Sequence, residues 1–158
     1  MTLELRALPA EQLPAWLRRT HDEYIRSRIA AGESAEEARE NADRSEERAF
    51  PGGVLAHGHQ VFEVIEGAEI VGQLWIGPRT TGGDDWWVYD IEISEEHRGR
   101  GFGRATMEAA ESEARARGAR TLGLNVFGFN TIARGLYESL GYETSAIQMR
   151  KPLVAPPA

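Results

Sequence analysis

The stretch YDIEISEEHRGRGFGRATM, residues 89–107, contains a strand pattern, a glycine-rich turn and the start of a helix pattern. Its first part alternates apolar and acidic side chains, which predicts a β-strand because the side chains of a strand point to its two faces in turn. The apolar set is Tyr89, Ile91 and Ile93, and the acidic set is Asp90 and Glu92. In the turn, the glycines Gly99, Gly101 and Gly103 are interleaved with the arginines Arg98, Arg100 and Arg104. A helical pattern opens at about Phe102, so a strand, a tight turn and a helix N-terminus are expected in direct succession.

A helix N-terminus behind a glycine-rich turn is typical of an anion-binding site. The first N–H groups of a helix have no intrahelical partner, and the aligned peptide dipoles place positive potential there. Glycines also let a phosphate approach the backbone closely. The spacing excludes a Walker A loop, which ends in Gly-Lys-Ser/Thr, and a dinucleotide fingerprint, in which the third glycine comes one residue later. A phosphate-bearing ligand of another class is therefore expected at residues 98–104.

The pattern R-x-x-G-x-G from Arg98 to Gly103 resembles the acyl-CoA pyrophosphate loop of the GNAT superfamily of N-acyltransferases. A second block, LGLNVFGFNTIARGLYESLGY from Leu122, is similar to the next part of that family. It contains a strand followed by Asn130, Ala133, Leu136-Tyr137 and Leu140-Gly141-Tyr142. Both blocks occur in the family's order and at its separation, from about Trp87 to Tyr142. The resemblance implies an α/β fold with a mixed sheet, and an N-acetyltransferase that uses acetyl-CoA as co-substrate.

The resemblance also implies where acetyl-CoA would lie. Backbone N–H groups of the turn would be the main contacts to the pyrophosphate, and the arginines would be secondary contacts. Asn130 is a good helix N-cap by its own chemistry, and by resemblance it would also bond the pantetheine arm. The strand would offer its backbone to the pantetheine and one N–H to the thioester oxygen, a contact worth roughly 3–4 kcal/mol. The expected cofactor contacts are Ile91, Glu92, Ile93, Arg98, Gly99, Arg100, Gly101, Phe102, Gly103, Arg104, Asn125, Asn130, Ala133 and Tyr137.

Acetyl transfer to an amine needs a group that accepts a proton and a group that donates one to the departing thiolate. The helical periodicity of this segment predicts that the Tyr137 side chain faces the protein interior. A Tyr at such a position often simply packs, but the resemblance implies that it is the general acid. Some family members carry a glutamate where this chain has Asn125, which cannot accept a proton. Glu92 is therefore the preferred base, and Asp90 is the second choice or an anchor for the amine. A solvent-facing or salt-bridged pair stays open as the alternative.

The chain before and after these blocks predicts the element order β-α-α-β-β-β-α-β-α-β, with about six to seven strands in the complete fold. The expected elements are an edge strand at Thr2–Leu8, helices at Glu11–Ala31 and from Ser34 to about Phe50, hairpin strands at Val61–Ile65 and Ile70–Ile76, a strand at Trp86–Ile93, a helix from Phe102, a strand at Leu122–Phe127, a helix opened by Asn130 and a final strand. Ser34 and Glu37 form a capping-box pattern.

Three further features leave alternatives open. The acidic second helix is favoured as a solvated face, although the family resemblance also allows an acidic lip on the acceptor site. Trp75, Trp86, Trp87 and Tyr24 either line an acceptor pocket or belong to the core. His57 and His59 lie two residues apart without a third ligand nearby, so they are interpreted as loop residues and no metal is predicted.

Length and composition fit one globular domain, expected at residues 1–152 and followed by a short tail at 153–158. The chain has no cysteine, which excludes disulfides and a cysteine acyl-enzyme. It has no signal-peptide pattern and no apolar run of membrane-spanning length, so a cytoplasmic protein without a membrane partner is expected. The formal charge of −7 argues against nucleic acid as a partner.

The expected partner is a small-molecule or peptide amine, and a homodimer stays open. The expected reaction is direct transfer of an acetyl group to a primary amine in a ternary complex. A non-catalytic acyl-CoA-binding module is the alternative, in which the loop is kept and the chemistry is lost. The presence of Tyr137 argues against this alternative, and Asn125 keeps it open.

Overall fold

The computed structural model describes residues 2–155. Residues 156–158, the end of the expected tail, lie outside the described part, as does residue 1. In chain order the elements are β1 (Leu3–Ala7), α1 (Leu13–Ala30), α2 (Ala35–Ala49), β2 (Gln60–Glu66), β3 (Glu69–Pro78), β4 (Asp85–Ile93), α3 (Phe102–Ala116), β5 (Thr121–Leu124) and α4 (Thr131–Ser139). No helix of the described chain is long and apolar enough to span a membrane.

The strands form one mixed sheet in the order β1-β2-β3-β4-β5, in which only β4 and β5 are parallel. The predicted α/β class, with a parallel pair inside a mixed sheet, is confirmed. The described chain has five strands, fewer than expected, because no strand follows α4. The segment after α4 keeps the alternation of a strand, but Ile147 and Met149 are 76% and 89% exposed. Alternation alone does not make a strand, which also needs a neighbouring strand to accept its hydrogen bonds.

Each face of the sheet is covered by helices and has its own core. On one face, α3 packs on the sheet through Phe102 and Met107, which contact strand residues such as Leu74. On the other face, α1 and α2 bring Trp16 and Phe50 against Trp75. The Trp16 and Trp75 rings meet edge to face, with their centroids 5.5 Å apart, a favoured geometry for aromatic pairs. Helices thus cover both faces of the sheet, so polar residues on these faces need a specific reason.

Local chemistry sets the helix boundaries. The Ser34 hydroxyl accepts a hydrogen bond from the Glu37 N–H at 3.2 Å, and the Glu37 carboxylate accepts one from the Ser34 N–H at 3.1 Å. This is the predicted capping box, which satisfies two donors that a helix start leaves without partners. At the start of α4 the Asn130 side chain accepts a hydrogen bond from the Ala133 N–H at 3.3 Å, as its N-cap chemistry predicts.

A β-bulge interrupts β4 at Tyr89. Asp90 is paired with Trp75, and Val88 is paired with the next residue of β3, so Tyr89 has no partner across the ladder. Because the bulge adds one residue to β4, the residues before it point to the opposite face from the one that simple alternation predicts. Tyr89 packs with the α1/α2 core, whereas Ile91 packs with the α3 core. The predicted alternation therefore holds for Ile91 and Ile93 but is wrong for Tyr89, which faces the same side as Asp90.

The parallel strands β4 and β5 pair only from Asp85–Thr121 to Val88–Leu124. β5 ends at Leu124, earlier than the Phe127 expected from the sequence, whereas β4 continues to Ile93. Since the strands are parallel, the helices that follow them, α3 and α4, both begin at the same edge of the sheet. This edge, outside the carboxyl ends of parallel strands, is where ligands bind in α/β sheets.

Candidate functional site

The turn between β4 and α3 presents unpaired backbone donors. Gly99 and Gly101 have φ values of 73° and 85°, which only glycine adopts without strain. Gly101 is the N-cap of α3 and makes no side-chain capping bond. Within residues 2–155, no group accepts a hydrogen bond from the backbone N–H groups of Gly99 to Arg104. An anion at the N-terminus of α3 would satisfy these donors, because the helix dipole favours negative charge there.

The arginines of the turn also hold it in place. Arg98 donates a hydrogen bond from Nε to the Ile93 carbonyl at 2.9 Å, and Arg104 donates one to the Ser139 hydroxyl at 2.6 Å. The Arg100 guanidinium lies over the Phe102 ring at 5.1 Å. Two of the arginines thus fix the turn to the end of β4 and to α4, while all three side chains stay exposed and add positive potential.

Gly103 lets α3 and α4 come close together. A Cβ atom at this position would lie 3.3 Å from the Leu136 Cδ2 atom, closer than most side-chain contacts allow. The glycine thus keeps the start of α3 and the inner face of α4 in contact. This contact fixes the position of α4, and with it Tyr137, relative to the turn.

A cavity of about 870 Å³ lies on the α1/α2 side of the sheet. It runs from the bulged part of β4 to the end of β5 and the inner face of α4. Five of the predicted site residues line it: Asp90, Ile91, Asn125, Asn130 and Tyr137. The turn, together with Glu92, Ile93 and Ala133, does not line it. The structure therefore brings the expected acid and one of the expected bases to one space, next to the turn.

Asp90 has the most informative carboxyl group of this cavity. Burial, with smaller contributions from the charges of Glu92 and Glu23, raises the pKa of Asp90 to about 7. A carboxyl group with a pKa near the working pH can accept a proton and release it again, which is the requirement for a general base. Strongly perturbed carboxylates in clefts are also candidates for functional sites in general.

Glu92 faces the same side of the sheet as Asp90 but contacts a different space. It lines a shallow depression with Arg19, Gln73 and Ser94. Its charge acts on Glu23, whose pKa is raised by burial first and then by the charge of Glu92. Asp90 therefore lines the cavity directly, whereas Glu92, the base preferred from the sequence, does not. Glu92 stays a candidate that would act from outside the cavity.

Tyr137 is positioned by α4 and by packing against the α3 core. Its hydroxyl makes no hydrogen bond to any residue of the described chain, although the ring lines the cavity. Burial, followed by the charge of Asp90, raises the pKa of Tyr137. The hydroxyl is therefore protonated at neutral pH and has no protein partner, as a proton donor to a ligand should be.

The four aromatic residues for which the sequence left open a place in an acceptor pocket or in the core are not all in the same place. Trp75, Trp87 and Tyr24 line the cavity, whereas Trp86 is buried in the α3 core. His59 also lines the cavity, and its Nδ1 accepts a hydrogen bond from the Trp75 indole N–H at 3.0 Å. Burial lowers the pKa of His59, so the ring is neutral and acts as a fixed part of the cavity wall.

Glu23 and Tyr89 are cavity residues that the sequence patterns did not single out. Glu23 lies on a stripe of α1 in which Thr20, Tyr24 and Ser27 also line the cavity. Such helical spacing marks one face, so the stripe was a signal that could have placed Glu23. Tyr89 faces the cavity because of the bulge, and no local sequence pattern predicts that bulge.

Comparison with known proteins agrees with this geometry. Residues 13–142 match the Acetyltransferase (GNAT) family. The chain is 29% identical over 156 residues to YycN of Bacillus subtilis, described as an uncharacterized N-acetyltransferase, and the match covers 97% of this chain and 100% of YycN. The crystal structure of YycN superposes with a TM-score of 0.87 at 28% identity, covering 98% of this chain and 100% of that one. A shorter match, 35% identical over 65 residues, is to the ribosomal protein bS18-alanine N-acetyltransferase of Escherichia coli and covers 41% of this chain and 44% of that enzyme.

Proposed function

Because the chain belongs to the GNAT acetyltransferase family, we propose that it transfers the acetyl group of acetyl-CoA to a primary amine by direct attack in a ternary complex. One observation carries the proposal. Asp90, a carboxyl group with a pKa of about 7, and Tyr137 line the same cavity beside the turn. Within residues 2–155, the Tyr137 hydroxyl and the N–H groups of Gly99 to Arg104 in the turn have no hydrogen-bond partner. A proton acceptor, a proton donor and an anion site are the parts that acetyl transfer needs.

The turn from Gly99 to Arg104 fits the pyrophosphate of acetyl-CoA. Its free N–H groups, its glycines with positive φ and its exposed arginines suit a ligand with two phosphate charges. Asn130, with its side chain at the N-terminus of α4, would contact the pantetheine arm. The fold neighbour AAC(6')-Iy, 17% identical with a TM-score of 0.57, was solved with the bisubstrate analog CoA-S-monomethyl-acetylneamine. That complex supports the assignment of the co-substrate.

The roles of the side chains follow from their protonation states. Acetyl-CoA supplies a thioester, from which the amine nitrogen takes the acetyl group while it loses a proton and the sulfur gains one. Asp90, half ionised near neutral pH, accepts the proton of the amine directly or through water. Tyr137 donates the proton to the sulfur as negative charge develops there. Because its raised pKa makes it a weaker acid, its hydroxyl must lie close to the sulfur to protonate it. General acid–base catalysis of this kind contributes roughly 10²–10⁴-fold.

We expect acetyl-CoA to raise the melting temperature, because a ligand that binds only the folded state stabilises it. At a concentration of about 100 times Kd the gain is about 2.7 kcal/mol, which is a shift of roughly 5–11 °C for a domain of this size. Gly101→Ala should remove most of this shift, because the methyl group enters the space that the phosphate needs. Differential scanning fluorimetry measures both values.

Gly118→Ala is the matched control. Gly118 has a φ of 94°, is exposed and lies at the other end of α3. Both substitutions add the strain of a left-handed alanine, on the order of 1–2 kcal/mol, so both should lower the melting temperature of the free protein. Only Gly101→Ala should lose the response to acetyl-CoA. An equal response in the two variants would show that the turn does not hold the co-substrate.

The role of Glu92 can be separated from that of Asp90 by Glu92→Gln. The charge of Glu92 contributes to the raised pKa of Asp90. If Asp90 is the base, removing this charge should lower its pKa and move the acidic limb of the kcat/KM profile to lower pH, with turnover retained at high pH. If Glu92 is the base, turnover should fall at every pH. The pH dependence of free-thiol release from acetyl-CoA distinguishes the two results.

The non-catalytic alternative predicts binding of acetyl-CoA without transfer to any amine. The partnerless Tyr137 hydroxyl and the raised pKa of Asp90 favour the enzyme. A panel of small amines and short peptides, incubated with acetyl-CoA and assayed for free thiol, tests the choice directly. Release of thiol that depends on the amine would exclude the alternative, and thermal stabilisation by acetyl-CoA without release would support it.

A further inference from the structure

The cavity has a basic end as well as an acidic one. Arg79 follows β3 and lies with its guanidinium carbon 4.3 Å from the centroid of the Trp87 ring. Its nearest carboxylate is that of Asp85, at 3.7 Å, which is longer than a hydrogen bond. The Arg79 side chain is 54% exposed. Its charge is therefore only weakly compensated by the protein.

Arg48 reaches the same end from α2. It lines the cavity and is exposed, and its guanidinium donates only one hydrogen bond within the described chain, to the Arg44 carbonyl at 3.4 Å. The charges of Arg48 and Arg79 both act on the side chain of Tyr89, which lines the same cavity. Burial raises the pKa of the Tyr89 hydroxyl; the charge of Arg79 opposes that rise, the charge of Asp85 adds to it, and the charge of Arg48 opposes it. Two guanidinium groups and one carboxylate, that of Asp85, thus lie around one side chain, so positive charge is in excess among these groups.

The basic end lies away from the turn. Arg79 hydrogen-bonds through its N–H to the Asp85 carbonyl at the first residue of β4, whereas the turn follows the last residue, Ile93. The acidic end, at Asp90 and Glu23, lies between them. Because of the bulge, Trp87 and Asp90 pair with Gly77 and Trp75, which are only two residues apart on β3. The two ends are therefore about 7 Å apart along the sheet, at about 3.3 Å per residue. The phosphates of acetyl-CoA at the turn would leave the two arginines free.

We infer that the acceptor is a primary amine that also carries a carboxylate or phosphate about 7 Å from the reacting nitrogen. The inference rests on the proposed function and specifies its substrate class. The amine would lie at Asp90 and Glu23, and the anion at Arg48 and Arg79. Trp75, Tyr89 and His59 line the cavity between the two ends, so the linking part of the acceptor would pass along an aromatic wall. A span of about 7 Å fits a short alkyl chain or about two extended peptide residues.

Two matched pairs of acceptors test this class. One is aminohexanoate, with an amine at the far end of the chain, against its neutral primary amide. The other is the amidated peptide Ala-Glu against amidated Ala-Gln. We expect the anionic member of at least one pair to have a kcat/KM about 10-fold higher, the size of a charge-assisted contact at a partly exposed site. The pair that shows the preference tells a small molecule from a peptide.

The double substitution Arg48→Gln with Arg79→Gln should bring this ratio to about one. Arg115→Gln, which removes an exposed arginine on α3 away from the cavity, is the control and should keep the wild-type ratio. A wild-type ratio of one or less for both pairs, or a ratio that survives the double substitution, would overturn the inference. Melting temperatures of the variants establish that they are folded.

Calorimetric binding of the same compounds separates this inference from the proposed function. If no amine is acetylated, but wild type binds aminohexanoate about 10-fold more tightly than its amide and the double variant does not, the acceptor site with an acidic and a basic end is supported and the proposed transferase activity is wrong. If both members of each pair are acetylated equally well, the proposed transferase activity is supported and the inferred acceptor site with an acidic and a basic end is wrong.

Discussion

Asp90→Asn is expected to lower the turnover of an acetylated amine by roughly 10²–10⁴-fold, the range of general acid–base catalysis. Asparagine has nearly the same shape but cannot accept a proton. Asp90 is the carboxylate of β4 that lines the cavity, whereas Glu92 lines a separate depression and would have to act from outside the cavity. Acetyl-CoA affinity should change little, since the turn is separate from Asp90. Wild-type turnover in this variant would remove Asp90 from the mechanism.

The same substitution should stabilise the protein in a way that depends on pH. The ordinary pKa of 3.8 is raised to about 7 in the folded protein, so between these values the folded state binds more protons than the unfolded state. The free energy of unfolding therefore falls as the pH rises through this window. The asparagine side chain of the variant would carry no charge at any pH. The stability gain of the variant should grow from about pH 4 to about pH 7, by on the order of a few kcal/mol, and then stay constant.

Urea unfolding at several pH values measures this difference. Asp84→Asn is the control, because Asp84 is an exposed aspartate just before β4. It should show neither the gain in stability nor the loss of turnover. A loss of turnover in Asp90→Asn without a stability gain that grows with pH would indicate that the raised pKa is not the property that matters.

The parts of the fold that depend on neighbouring residues could be predicted from the sequence. The Ser34–Glu37 capping box and the Asn130 N-cap are contacts over three residues, and both form. The start of α3 at Phe102 follows from the glycines before it. The same holds for the candidate anion site, because a helix N-terminus and its turn are built by one short stretch. Local chemistry therefore determined the candidate co-substrate loop.

The parts that depend on pairing between distant segments could not be predicted. The bulge at Tyr89 arises from the register between β3 and β4, and it changes which side chains face the cavity. Glu23 meets Asp90 only because α1 crosses this face of the sheet. The choice between Asp90 and Glu92 as base depends on which of them lines the cavity, and alternation places both on the same side. The sequence thus predicted the pair of carboxylates but not the difference between them.

Tyr137→Phe is expected to lower turnover roughly 10²-fold or more, because the proton donor of the departing thiolate would be lost. The ring and its packing against the α3 core would remain. The hydroxyl has no hydrogen-bond partner in the described chain, so the free energy of unfolding should change by less than about 1 kcal/mol, the usual net value of one hydrogen bond. Acetyl-CoA affinity should also stay near that of wild type.

Tyr142→Phe is a control with the opposite expectation. The Tyr142 ring lies next to that of Tyr137, with the centroids 6.1 Å apart, but its hydroxyl donates a hydrogen bond to Glu111 at 3.0 Å. Its loss should therefore reduce stability by about 1 kcal/mol while turnover is kept. Single-turnover rates and urea unfolding of the two variants give the comparison. If Tyr137→Phe kept the wild-type rate when chemistry limits turnover, the donor would have to be another cavity hydroxyl, and Tyr24 and Tyr89 are the tyrosines that line the same space.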